Sequence, residues 1–404
     1  MKRICTKCIV AALILSMGIT AGIPAYAAQP QTTAATEQAA QLSLEETASQ
    51  YFENYPSDKH VVSAEQLLNR VEEGESFCLL DIRSAEDYAK GHIQGAVNIP
   101  YGVDVADALE IIPNDQPVLV YCYSGQTASQ TVALLRLAGK DAYNVSGGFT
   151  GISKQEKAKQ LTVKTETALP EGNYPVDPQL KQAIREYYEL AAQNGKFNMS
   201  AEQVKKEASE GKIYLVDIRS ENDYLKSRIS FAKENIPFGK GMQTALANLP
   251  KDQKIVFQCY SGQTASQTVA IARMMGLDAY NLSGGMGAKG GSGWLGAGYH
   301  VVKYSTQQFL NAKMDRYFKN LPENKNQLSA AAFLAAVEDK EDAVILDIRS
   351  AEDYAKGHVK GAVNVPYGMD VAAALEKIPS DKTVYVYCYS GQTASQTALL
   401  LNLA

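Results

Sequence analysis

The sequence predicts an α/β protein of three tandem domains, each a central, mainly parallel sheet flanked by helices, with the third domain incomplete. Three observations predict it. The chain has 404 residues, more than one hydrophobic core organises at roughly 100–150 residues per domain. The decapeptide Cys-Tyr-Ser-Gly-Gln-Thr-Ala-Ser-Gln-Thr occurs three times, starting at Cys122, Cys259 and Cys388, and each copy follows an Asp-Ile-Arg-Ser that starts at Asp81, Asp217 or Asp347. Around both motifs, short and nearly all-apolar strands alternate with amphipathic helical stretches, the pattern of a sheet buried on both faces. The units repeat at 136 and 130 residues, too long for stacked solenoid repeats of ~20–50 residues.

Each unit is read in the same order. Ser63, Ser200 and Ser329 are N-cap residues for helices over Ala64–Val71, Ala201–Ala208 and Ala330–Val337. A strand follows in each unit: Phe77–Leu80, Ile213–Val216, Val344–Leu346. The Asp-Tyr segment after it is a short helix, in which Arg83 and Asp87, Arg219 and Asp223, and Arg349 and Asp353 stand four apart and are expected to pair. A second strand ends at Pro100, Pro237 and Pro366, and a third (Pro117–Tyr121, Ile255–Phe257, Val384–Tyr387) runs into the cysteine. A helix over Thr131–Leu137 or Thr268–Met275 and a last strand at Asp141–Val145 or Asp278–Leu282, closed by Ser-Gly-Gly, complete units one and two. Unit three stops at Ala404, 16 residues past its cysteine, so its last strand has no counterpart.

Residues 1–27 have the layout of a signal peptide: basic Lys2, Arg3 and Lys7, an apolar run from Ile9 to Ile23, then Ala25-Tyr26-Ala27. The run is shorter than the ~20 residues that span a bilayer. The expected boundaries are a flexible tail over 28–47, domain one over 48–150, a linker over 151–179, domain two over 180–300 and domain three over 306–404. The protein is expected to be exported, with no membrane attachment after signal cleavage. A net charge of −5 with scattered Lys and Arg leaves no footprint for nucleic acid. Six cysteines are too few for a disulfide scaffold, and four remain after signal removal: Cys78, Cys122, Cys259 and Cys388.

A cysteine at the tip of a buried strand, before a glycine-containing loop and a helix N-terminus, is chemically loaded. Ligands of open α/β sheets bind outside the carboxyl ends of the strands. Loop and first-turn N–H groups favour an anion there and lower a thiol's pKa. Gly125 permits tight curvature, and Ser124, Thr127 and Ser129 add hydroxyls. Cys78 has Val216 and Leu346 near its place in the other units and reads as core, with a resolving thiol as the alternative.

The stretch Asp81–Pro100, the Cys-Tyr-Ser-Gly-Gln-Thr loop and the Gly-Gly ending together resemble the rhodanese homology domain over about 46–150, 180–300 and 306–404. The resemblance implies a parallel sheet between helices and an active-site loop of six residues. In unit one these are Cys122, Tyr123, Ser124, Gly125, Gln126 and Thr127; in unit two, Cys259, Tyr260, Ser261, Gly262, Gln263 and Thr264; in unit three, Cys388, Tyr389, Ser390, Gly391, Gln392 and Thr393. It also implies sulfur transfer, with Cys122, Cys259 and Cys388 as catalytic nucleophiles. Each would take sulfane sulfur from a small donor such as thiosulfate and pass it to a thiol or cyanide, with no cofactor and no metal. A non-catalytic sulfane-sulfur carrier, sensor or binding array is the alternative. The loops carry no Arg or Lys, which members selective for thiosulfate or mercaptopyruvate often have, and unit two replaces Gly-His-Ile-x-Gly-Ala with Ser227–Ala232. His92 and His358 read as structural. A Cys-x5-Arg phosphatase is disfavoured, because Ala128, Ala265 and Ala394 stand where its arginine would be.

Overall fold

Why each unit forms a parallel sheet follows from its strands, which are short and mostly apolar and, in units one and two, covered on both faces. The computed structural model describes residues 44–53, 55–339, 342–379 and 382–404; the expected signal peptide and residues 28–43 lie outside the described residues. In unit one the strand order is Val61–Val62, Ala142–Val145, Val118–Tyr121, Cys78–Asp81, Ala96–Asn98, parallel throughout. Unit two repeats it with Asn198–Met199, Ala279–Leu282, Lys254–Gln258, Ile213–Asp217 and Ala232–Asn235. The strand that delivers the cysteine is therefore central, and Val118 to Tyr121 and Ile255 to Phe257 have no solvent exposure.

Unit three differs. Among its described residues the sheet has three parallel strands, Val363–Asn364, Ala343–Asp347 and Thr383–Tyr387, which places the strand before Cys388 at an edge. Between that edge and the start of the helix Ala330–Glu338 lies a cavity of about 780 Å³, lined by Leu328, Phe333, Val384, Val386 and Cys388 among others. In unit one the corresponding position holds Ala142–Val145, paired to both Val61–Val62 and Val118–Tyr121.

The helices start where the sequence places them. Ser63 and Ser200 accept from the backbone of Gln66 and Gln203, whose side chains reach back to the cap N–H groups, and Ser329 accepts from Ala332. Part of the segment expected as a linker packs on unit one instead: Ala158–Leu161 is helical and Thr162–Val163 pairs antiparallel with His92–Ile93. Residues 44–47, expected in the flexible tail, belong to the helix Leu44–Gln50. The helix after the cysteine loop begins at Gln126 rather than Thr131, because Gly125, at φ +87°, turns the chain straight into it.

Units one and two are joined through those helices, Gln126–Leu137 and Gln263–Met274, by reciprocal contacts. Gln267 is fully buried; its carbonyl accepts from Tyr51 at 2.9 Å and Tyr55 at 2.5 Å, and its amide donates to the Lys59 carbonyl at 3.0 Å. Gln130 is equally buried, accepting from Tyr187 at 2.9 Å and from Tyr101, and donating to the Lys196 carbonyl at 2.9 Å. Lys59 and Lys196 both take left-handed backbone (φ 57°) at corresponding places before Ser63 and Ser200. Phe52 packs edge-on against Phe238, and Tyr188 against Tyr101.

Candidate active site

Each cysteine loop is framed by the turn that follows its strand. Gly125 N–H approaches the Cys122 sulfur to 3.1 Å and Ala128 N–H to 3.4 Å. Gly262 and Ala265 do the same for Cys259 at 3.1 and 3.4 Å, and Gly391 reaches Cys388 at 3.1 Å. Inward-facing amides of this kind stabilise a thiolate. Burial pushes the Cys388 thiol up, but the Thr393 hydroxyl and the amides of Ala394, Ser390 and Gly391 outweigh it and bring the thiol down to about 7. Cys78 has no such cradle, and burial alone drives it up to about 11; it sits in the core, as its strand position suggests.

The loops are backed by the Ser-Gly-Gly turn in units one and two. Phe149 N–H donates to the Cys122 carbonyl at 2.7 Å and Thr150 N–H to Tyr123 at 3.0 Å. Gly148, at φ +55°, leaves no room: a Cβ there would lie 2.5 Å from the Cys122 carbonyl and 2.8 Å from the Gly125 and Ser124 nitrogens. Gly285 stands in the same relation to Cys259, Gly262 and Ser261.

From the front, the loop tyrosine is tied down. Tyr123 donates to Asp87 at 2.5 Å and accepts from the Ser84 N–H; Tyr260 with Asp223 and Tyr389 with Asp353 repeat this. The Tyr123 hydroxyl, with Lys90 beside it, holds the Asp87 carboxyl down at about 2, and Tyr389 with Lys356 does the same for Asp353.

The expected pairing of Arg83 with Asp87 is not formed. Arg83 precedes the N-cap Ser84, so helical i,i+4 geometry does not include it. It folds back on Asp81 (2.6 Å) and donates to the Gly91 carbonyl, a buried pair that anchors the strand end. Arg219 pairs with Asp217 and Arg349 with Asp347 in the same way. His92 is structural as expected: it stacks on Tyr88, with one ring nitrogen on the Tyr88 carbonyl and the other on Thr165. His358 repeats the stack on Tyr354.

The structure brings Cys122 to Thr127, Cys259 to Thr264 and Cys388 to Thr393 each into one turn, but gives two of their side chains another occupation. The Gln126 carbonyl accepts from Asn281 at 2.8 Å and from the Gly284 N–H at 3.2 Å, both in unit two. Gln263 accepts from Asn144 of unit one at 2.8 Å. Each loop glutamine thus braces the segment that backs the other unit's loop. Exposure separates the sulfurs: Cys122 and Cys259 are 2% and 1% exposed, whereas Cys388 is half-buried and lines the cavity. The four described cysteines are unpaired, and no metal-binding cluster occurs among the described residues. No helix among them is long and apolar enough to cross a membrane.

A cysteine cradled by backbone amides at the carboxyl end of a parallel strand, three times over, agrees with the comparisons. The rhodanese-like domain family matches residues 63–155, 200–288 and 329–404, and the chain belongs to that family. It is similar to the thiosulfate sulfurtransferase GlpE of Pseudomonas fluorescens, 39% identical over 72 residues, covering 18% of this chain and 65% of that protein. GlpE of Pseudomonas entomophila is 37% identical over 89 residues, covering 22% and 79%. An HTH-type transcriptional regulator of Mycobacterium tuberculosis is 34% identical over 95 residues, covering 23% and 41%. The chain spans about half the length of several curated relatives it matches. Among solved structures, a rhodanese-like domain protein from Staphylococcus aureus is 28% identical with a TM-score of 0.22, covering 23% of this chain and 89% of that one.

Proposed function

We propose that the protein is a sulfurtransferase whose nucleophiles are Cys122, Cys259 and Cys388. The thiolate attacks the outer sulfur of a donor such as thiosulfate; the S–S bond of the donor breaks, sulfite leaves with the electron pair, and a cysteine persulfide remains. A thiolate or cyanide then attacks the terminal sulfur, forming a new persulfide or thiocyanate and returning the cysteine thiolate. Loop amides stabilise the anion on both sides of the exchange. The single observation that carries this reading is the pair of inward N–H groups on the sulfur, repeated in units one and two and accompanied in unit three by a thiol drawn down to about 7. The sulfurtransferases among its relatives support it. Export by the N-terminal segment belongs to the same proposal, and places the reaction outside the cytoplasm.

Intact-mass measurement after exposure to thiosulfate tests the chemistry. One added sulfur per competent cysteine, removed by cyanide, is expected, and the combined Cys122→Ser, Cys259→Ser and Cys388→Ser protein has no turnover; retained turnover refutes the nucleophile assignment. The burial of Cys122 and Cys259 favours a second reading, a sulfane-sulfur carrier or binding array, for units one and two. Absence of an adduct on either loop supports the binding array, since a carrier would itself hold the added sulfur.

A further inference from the structure

The surface that joins units one and two recurs on unit three, where the helix Thr306–Lys319 touches it and its large apolar side chains stay exposed. Tyr317-Phe318-Lys319-Asn320-Leu321-Pro322 repeats Tyr51-Phe52-Glu53-Asn54-Tyr55-Pro56 at four of six positions. Lys325 and Asn326 take the same left-handed backbone as Lys59 and His60. Tyr367 stands at the position of Tyr101 and Phe238, and its hydroxyl donates to Gln396 as that of Tyr101 does to Gln130. The helix Gln392–Leu403 carries Ser395, Gln396 and Thr397 where the other units have Ser129, Gln130, Thr131 and Ser266, Gln267, Thr268.

What differs is cover. Leu134 and Ile271, on the joined helices, are 1% and 0% exposed, and the matching Leu400 is 53% exposed. Phe52 is fully buried against unit two, and the matching Phe318 is 61% exposed. Gln396 and Ser395 face solvent, while their four counterparts are fully buried. The Thr131 hydroxyl meets that of Tyr188 at 3.0 Å, and the buried Thr397 hydroxyl has no partner.

We propose that unit three pairs with unit three of a second copy of this chain, in a two-fold arrangement that reproduces the joining of units one and two. The occupant follows from the contact set. In the existing interface each unit gives the same elements and receives the same elements, so the surface is self-complementary, the requirement for an isologous dimer. One copy of unit three holds both halves: Tyr317 and Phe318 to insert, and Gln396, Thr397, Leu400 and Tyr367 to receive. Tyr317 of one copy reaches Gln396 and Thr397 of the other, as Tyr51 reaches Gln267 and Tyr188 reaches Thr131. The Gln396 amide meets the partner's Lys325 carbonyl, as Gln267 meets Lys59. The repeated glutamine of the decapeptide, Gln130, Gln267 and Gln396, is thereby accounted for by pairing rather than by chemistry at sulfur.

Sedimentation analysis of the full chain, from micromolar concentrations upward, tests the proposal. The expected result is a concentration-dependent species of twice the mass of one chain. Leu400→Asp and Phe318→Asp, at exposed positions, each return it to a single chain, with circular dichroism unchanged and a melting temperature unchanged at dilutions where the parent is also a single chain. Leu169→Asp, equally exposed on the segment after unit one, leaves the dimer intact. A single chain at every concentration overturns the proposal, as does a dimer that survives both substitutions. Cross-links joining unit three of an isotope-labelled copy to unit one or two of an unlabelled copy overturn it as well, by naming another occupant.

Discussion

The strand that ends at Cys122 and the strand that ends at Cys388 have nearly the same sequence duty and opposite situations. The first is the middle of five strands; the second is an edge with half-buried side chains and a cavity beside it. Yet both deliver a cysteine into the same amide turn, with the glycine N–H at 3.1 Å from sulfur in each case. The cradle is therefore a local property of the Cys-Tyr-Ser-Gly-Gln-Thr turn and its helix, whereas burial of the sulfur is a property of the neighbours. That separation can be attacked by experiment.

The largest difference is expected from a charge on the joining helices. Leu134→Asp places an unpaired carboxylate in a fully packed interface and costs about 5 kcal/mol or more, whereas Leu400→Asp changes the stability of a dilute single chain by less than ~0.5 kcal/mol. Urea unfolding of both variants measures the gap; equal losses would mean the two helices are packed alike. Next comes Gly148→Val, which strains a left-handed residue and strikes the Cys122 carbonyl, costing about 3 kcal/mol. Peptide mapping after alkylation should show labelling of Cys122 altered and that of Cys388 unchanged.

A third contrast is chemical. Thiolate is the reactive form, so alkylation of Cys388 falls as pH drops through about 7, while Cys78, pushed up to about 11, stays silent below that range. At pH 7, Cys388 should react roughly tenfold faster than a free cysteine of pKa ~8.5; a rate that turns only near pH 8.5 would show that the amides do not hold the anion. The smallest effect belongs to the brace between units. Gln126→Leu removes hydrogen bonds worth about 1 kcal/mol to the turn behind Cys259, and slows labelling of Cys259 about fivefold in a Cys122→Ser chain. Gln392→Leu has no matching effect elsewhere in the chain.

Much of this architecture is legible in the residues. Serine caps, short apolar strands and the recurrence of Asp-Ile-Arg-Ser and the decapeptide mark the elements and their order, because each rests on local rules of backbone satisfaction and period. The sulfur cradle is legible for the same reason. Arg83 misleads because four-apart spacing has meaning only inside a helix, and Ser84 starts the helix one residue too late. The role of Gln126 and Gln130 is hidden, since nothing in one unit's sequence says which face another unit covers. The identity of Ala-Ser-Gln-Thr beyond Thr127 carries that signal, though it reads equally well as part of the chemistry. Gly148 is likewise marked by Ser-Gly-Gly without any hint of which carbonyl it must clear.

The insertion of Tyr51 and Phe52 beneath the helix of the following repeat has a practical consequence for anyone dividing the molecule. Cutting in the segment between Val163 and Pro178 would separate Gln267 from both tyrosines and strip Leu134 and Ile271 of their mutual shelter. The smallest piece that keeps its own interior is a doublet, from Leu44 through Lys303, and activity assigned to a lone excised repeat would describe a solvent-flooded half of that doublet.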